Sequence, residues 1–164
     1  GALDLFREAP ADILLFLGFD PDEDATAFDL IPLPDLELVL VATPDHPLAT
    51  GQVSEVTRAA HAELVVRDSS ARFARQAKGS FMGSRNVMYL SDFHAKRVAL
   101  LEGAGYGWVP RHLVETDLTQ GRLVVLDAAL SRWSYQPQIG TRAGHPPGRA
   151  AQLFIQTLVD AVTP

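Results

Sequence analysis

The chain has 164 residues, 47% hydrophobic and 21% charged, with no cysteine and a net charge of −6. That length and apolar content suffice for one full core or two small lobes, and they exclude the disordered and collagen-like classes. The missing thiols exclude disulfides, thiolate metal sites and a cysteine nucleophile, and no apolar run reaches the roughly 20 residues of a bilayer-spanning helix.

Charge is unevenly spread. Residues 1–47 hold eleven Asp or Glu against the single Arg7, a balance of −10, whereas residues 48–164 hold 13 Lys or Arg against nine acids, a balance of +4. No concentrated basic stripe is present, so the chain is not expected to hold DNA or RNA by itself. The mild positive excess suits a small anionic ligand and equally a solvated surface. The N-terminus lacks the basic-then-apolar pattern of a secretory signal, and the expected compartment is the cytoplasm. Absence of cysteine does not by itself separate cytoplasm from periplasm.

In chain order, Leu3, Leu5 and Phe6 read as the end of a helix, and Ala11 to Leu17 as a buried strand ending at Gly18. The chain therefore opens in mid-fold, as a fragment would, or a fold completed by a partner element. Asp20 to Asp24 is an acidic loop without the spacing or closing Glu of a calcium loop. Phe28 to Leu33 and Glu37 to Thr43 read as strands, the second with a continuous apolar run from Leu38 to Ala42 and hence buried on both faces. Pro44 to Leu48 is a rigid turn, Val53 to Ala60 a short helix, and Ala62 to Val66 a strand that ends at Arg67, Asp68, Ser69 and Ser70. Arg72 to Gly83 is a polar excursion.

The stretch from Asn86 to Pro110 organises the rest. Asn86 to Leu90 reads as a strand, Ser91 and Asp92 as residues able to cap a helix, and Phe93 to Leu101 as that helix, stopped at Gly103. Tyr106 to Val109 is a second strand, so a parallel pair with a crossover helix is expected. The helix spreads its apolar residues around most of its circumference, which predicts cover on more than one side, from a second domain or subunit. Arg111 to Thr119 reads as a helix closed by Gly121, and Arg122 to Leu126 and Gln136 to Arg142 as strands. Ala150, Leu153, Phe154, Thr157, Leu158, Ala161 and Val162 recur with a period near 3.6 and predict an amphipathic C-terminal helix entered at Pro147.

Ligands of open α/β sheets gather beyond the carboxyl ends of the strands, which points to Asp68, Ser69 and Ser70 and to Ser91 and Asp92. Bland roles stand beside these. Asp92 also serves as a plain helix cap, and Arg67 is equally able to pair with a ligand carboxylate or with its own neighbourhood. Gly103, Gly105 and Gly107 follow a helix instead of opening one, so they fit a helix stop and tight turn, not a dinucleotide loop. Neither Ser69 nor Ser70 sits in a nucleophile elbow. His46, His61, His94, His112 and His145 never fall four apart on one helix, and no metal site is expected. Trp108 and Phe93 are expected in the core rather than against an aromatic ligand.

Taken together, VLVATPDHPLA (39–49), ELVVRDSS (63–70), YLSDFHAKRVALLEGAGYGWVPRHLVETDLTQGRLVVL (89–126) and the final helix resemble the effector-binding domain of LysR-type transcriptional regulators over nearly the whole chain. The resemblance implies an α/β fold like that of type 2 periplasmic binding proteins: two lobes with mixed, largely parallel sheets and a ligand cleft between them. Lobe I would comprise residues 1–37 plus 138–164, and lobe II residues 38–137. The ligand-lining segments carried over are Phe16, Leu17 and Gly18, then Asp68, Ser69 and Ser70, then Leu90, Ser91 and Asp92. The implied partners are a small-molecule effector, an anion among the candidates, and a second copy or more of the chain in a homodimer or homotetramer. DNA would be reached only through a helix-turn-helix domain outside this chain, with no membrane, cofactor or catalytic residue. Family members carry that domain, a linker helix and the first strand and helix of the effector domain ahead of the stretch matched here, so the N-terminal part of lobe I is expected to be missing. A transporter's solute receptor and an enzyme on the same scaffold are the alternatives.

Overall fold

A computed structural model describes residues 6, 8, 11–16, 25–51, 53–66, 84, 86–126 and 132–162. The chain divides into two compact units, Gly1–Leu36 with Tyr135–Pro164, and Glu37–Ser134.

In the first unit, β1 (Leu14–Phe16), β2 (Phe28–Pro32) and β9 (Gln138–Arg142) form an antiparallel sheet in the order β1-β9-β2. Strand alternation gives this sheet two apolar faces. Leu14, Phe16 and Phe28 gather with Phe6 on one, while Ile31 and Ile139 join Leu33 and Ile155 on the other. The strand expected over Ala11 to Leu17 is shorter among the described residues, and it lies at the sheet's edge, not at its centre. Leu15 is accordingly 58% exposed. An edge strand has one neighbour, so a residue pointing away from its packed partners keeps access to water.

The C-terminal helix α5 (Arg149–Val162) forms as predicted but turns a different face inward. Ala151 and Ile155 are buried, and Leu158 and Val159 pack around Leu33 and Ile139. Leu153 is 68% and Phe154 56% exposed. Two apolar stripes overlap on this helix, and the one bearing branched Ile155 and Val159 meets the sheet.

In the second unit, β3 (Leu36–Ala42) pairs antiparallel with β6 (Gly107–Pro110) and with β7 (Val124–Val125), and it also pairs with β8 (Arg132–Tyr135). Leu38 to Ala42 are all buried, in keeping with the apolar run. Parallel strands β4 (Glu63–Val66) and β5 (Val87–Leu90) form a ribbon. A parallel bridge between Glu63 and Tyr106 joins that ribbon to the segment leading into β6, with Tyr106 N–H donating to Ala62 O at 3.1 Å and Leu64 N–H to Tyr106 O at 2.8 Å. The strands on either side of the crossover helix are therefore not neighbours, because β4 lies between them. Sequence order alone could not reveal that insertion. Of the described ladders with a defined register, four are antiparallel and one is parallel, so the sheets are mixed but parallel pairing is the minority.

Short helices α1 (Pro47–Thr50) and α2 (Glu55–Ala59) follow β3, and α3 (Phe93–Leu101) and α4 (Arg111–Thr119) cover the core of Val39, Val41, Leu64, Leu100, Val109, Val114 and Leu123. Gly103 ends α3 with φ 70°, as its sequence position predicted. Gly105 is needed for a different reason. A Cβ there would lie 2.2 Å from Ala62 O, so only glycine lets the chain reach the Ala62–Tyr106 hydrogen bond. Cover on more than one side of α3 is not seen at His94 and Val98, which are exposed in this single chain. Trp108 is buried as expected, and Phe93 is half-buried against the core.

Candidate functional site

The parallel register pairs Val66 with Leu90, so the carboxyl tips of β4 and β5 end side by side. From the tip of β5 the chain passes directly into the first turn of α3. Asp92 has an extended backbone and caps this helix: its Oδ1 accepts from Ala95 N–H at 2.8 Å, and its Oδ2 accepts from the Ser91 hydroxyl at 2.8 Å. Lys96 N–H closes the turn onto Asp92 O at 3.1 Å. The Ala95 bond first, then the Ser91 hydroxyl, hold the Asp92 carboxyl below its ordinary range. Ser91 and Asp92 are both exposed and Leu90 is half-buried. Both readings of Asp92 thus apply to one side chain. It is a helix cap, and the cap stands open to solvent at a strand tip.

Of the other predicted residues, Phe16 is half-buried on β1 in the first unit, with its ring against Gly140, where a Cβ would lie 3.2 Å from its Cε1. Leu17, Gly18, Asp68, Ser69 and Ser70 fall outside the described residues, as does Arg67. Chemically, the described part of the site offers a hydroxyl, a carboxylate and a helix start, a set suited to hydrogen bonding. Ser91 donates to Asp92, and no histidine lies between them as a base would. Among the described residues no three His, Asp or Glu cluster as metal ligands would, and no helix is long and apolar enough to cross a membrane.

Three buried polar features went unread in the sequence. His46 is the cap of α1, its Nδ1 accepting from Leu48 N–H at 3.1 Å, and its ring meets that of His61 edge-on at 4.9 Å. Burial, and then the charge of His61, push its pKa down. A His directly before Pro47 at a helix's first position was the available signal. Asp117 on α4 is 0% exposed and takes a two-pronged bond from Arg97 of α3 at 2.6 and 2.9 Å, with Arg122 at 2.5 Å. Lys96 and Glu63 are also buried, at 2% and 0% exposure. Arg97 and Asp117, like Lys96 and Glu63, are far apart in sequence, so no local spacing announces them, although Arg122 follows Asp117 by only five positions.

The family model for the LysR substrate binding domain matches residues 2–163. The chain belongs to that family. It is 34% identical over 98 residues to the RuBisCO operon transcriptional regulator of Allochromatium vinosum, a match covering 57% of this chain and 32% of that protein. It is 28% identical over 126 residues to the uncharacterized HTH-type transcriptional regulator YeeY of Escherichia coli K12, covering 76% of this chain and 40% of the relative. The LysR-type chain thus spans about a third of the length of the curated relatives it matches. Among solved structures it is similar to the Synechocystis PCC6803 CcmR regulatory domain in complex with 2-PG, with a TM-score of 0.70, 18% identity and coverage of 98% of this chain and 78% of that one. Full-length LysG of Corynebacterium glutamicum with bound effector Arg gives a TM-score of 0.73 at 19% identity, covering 98% of this chain and 54% of that one. The likeness establishes the two-lobe, periplasmic-binding-protein-like α/β fold for this effector-binding domain of a LysR-type regulator.

Proposed function

We propose that this domain senses a small metabolite, an anion among the candidates, and through it controls transcription by a longer DNA-binding protein. The effector is held at the tips of β4 and β5 and the start of α3, by Asp68, Ser69, Ser70, Leu90, Ser91 and Asp92. Phe16, Leu17 and Gly18 stay in the proposal as the family likeness implies them. Residues 1–37 with 138–164, and residues 38–137, are the two lobes of this reading. The observation carrying it is the side-by-side ending of β4 and β5 in a chain of the LysR family, with exposed Ser91 and Asp92 directly beyond. Relatives that are transcriptional regulators support a regulator over a transporter's receptor or an enzyme. The effector biases the arrangement of a cytoplasmic homodimer or homotetramer, and no chemistry is done on it.

The test is a thermal melt of the regulator carrying this domain, with 2-PG and arginine as the first probes and a panel of small carboxylates and phosphates after them. An effector raises the midpoint, and Ser69→Ala or Ser91→Ala weakens that gain by about 1 kcal/mol or more. The same gain in both variants overturns the site. An upstream reading frame without a helix-turn-helix overturns the regulator.

A further inference from the structure

Lys96 is buried in the second turn of α3, an uncommon fate for a lysine unless its charge is matched. The end of its side chain lies over Gly107, where a Cβ would meet Leu64 O at 2.6 Å, Lys96 Cε at 2.8 Å and Nζ at 3.2 Å, so the ammonium ends close to the β4 backbone. A glycine at 107 therefore leaves room both for the Leu64 carbonyl and for the lysine's end. Glu63, the first residue of β4, is bridged to Tyr106 beside Gly107; burial opposes the charged lysine, and the charge of Glu63 favours it. Glu63 also accepts from Ser84 N–H at 3.3 Å, and Ser84 in turn donates its hydroxyl to His61 O at 3.1 Å and accepts from Asn86 N–H at 3.2 Å. One carboxylate thus serves the starts of both strands whose far ends form the candidate site, while the lysine opposite it belongs to the helix completing that site. The backbone N–H of the same Lys96 closes the capping turn on Asp92.

We propose that Lys96 and Glu63 are a coupled pair of positioning residues, which seat α3 on β4 and thereby set Ser91 and Asp92 relative to the strand tips. The purpose of that positioning rests on the effector site proposed above; the coupling itself does not. Burial draws the Lys96 pKa down to about 8. Other groups face this pair. Tyr106 beside Glu63 is pushed up to about 12, mainly by burial, and stays neutral in the range of interest. Tyr106 donates to Arg58 O at 3.4 Å, and beyond it lie the rings of His46 and His61. Phe93, on the lysine's own helix, has its ring centroid 5.9 Å from Nζ.

The test is a double-mutant cycle on the 164-residue chain without effector, read by hydrogen exchange at the amides of Ala95 and Lys96. Lys96→Met and Glu63→Gln each lower protection there at least tenfold at pH 7, since each removes one member of the pair while the other stays buried. The double variant returns to within about threefold of the parent. Effects that multiply in the double variant, or that leave these amides unchanged, overturn the proposal. Where a single variant fails to fold, the unsubstituted chain decides: the Lys96 Cε resonance titrates near 8 and the Ala95 amide shift follows with the same midpoint. An Ala95 amide that ignores the lysine's titration overturns the coupling. A coupling that holds while Ser91→Ala leaves effector binding intact overturns the site and not the pair.

Discussion

Helices α3 and α5 are attached to their sheets by different means. Helix α5 is held by apolar contact, with Ala151 and Ile155 buried and Leu158 and Val159 packed around Leu33 and Ile139. Helix α3 has apolar contacts too, through Leu100, Phe93 and Leu101, but charged groups fasten it at three levels: the Asp92 cap, buried Lys96, and Arg97 on Asp117. Hydrophobic contact is broad and tolerant of sliding, whereas a two-pronged ion pair fixes direction. The helix that borders the candidate site is the one fixed in direction.

Substitutions sharpen that contrast, beginning with the largest effect. Ile155→Ala should cost about 3 kcal/mol, read by urea denaturation, because it empties the apolar contact on which α5 depends. Asp117→Ala should cost about 2 kcal/mol by the same measure, somewhat less because Arg97 and Arg122 are partly exposed and recover water. A cost for Asp117→Ala above that for Ile155→Ala would reverse the ranking of the two attachments. The pH profile separates them further. Unfolded Lys96 keeps its proton to about 10.5 and folded Lys96 releases it near 8, so between those values the unfolded chain binds more protons. That lysine's contribution makes stability rise with pH over this window, by up to roughly 1.4 kcal/mol per unit, and Lys96→Met removes the rise. Asp92→Ala should lower the melting temperature by less than either core change, through the lost cap. Its depressed carboxyl contributes stability above the ordinary value of 3.8 that is lost as pH falls below it. The smallest change is Leu153→Ser on the exposed side of α5, expected within about 0.5 kcal/mol of the parent.

Legibility in the sequence followed the range of the forces involved. The strand, helix and strand from Val87 to Pro110 were readable because the Asp92 cap and the Gly103 stop act over three or four residues. Burial of Leu38 to Ala42 was readable for the same reason, as a run. The insertion of β4 between β5 and β6 was not, since order in a sheet depends on hydrogen bonds between distant segments. Nor was the inward face of α5, because periodicity reports that a stripe exists and not which neighbour covers it. In the candidate site, Ser91 and Asp92 were found from their position at a strand end. Lys96, Glu63 and the Arg97–Asp117 pair were missed because they join segments far apart along the chain, Arg97 and Asp117 by 20 positions.

The joint between the β4–β5 ribbon and β6 carries a consequence for how this domain comes apart. Among the described residues the joint is one bridge, Glu63 to Tyr106, made possible by a glycine that admits no side chain. With so few backbone bonds across it, the joint is closed from behind by apolar contact, where Leu64 of the ribbon is 0% exposed in one core with Val39, Val41 and Val109. The ribbon and β3 therefore come apart together, the strand tips being lost as that shared core opens.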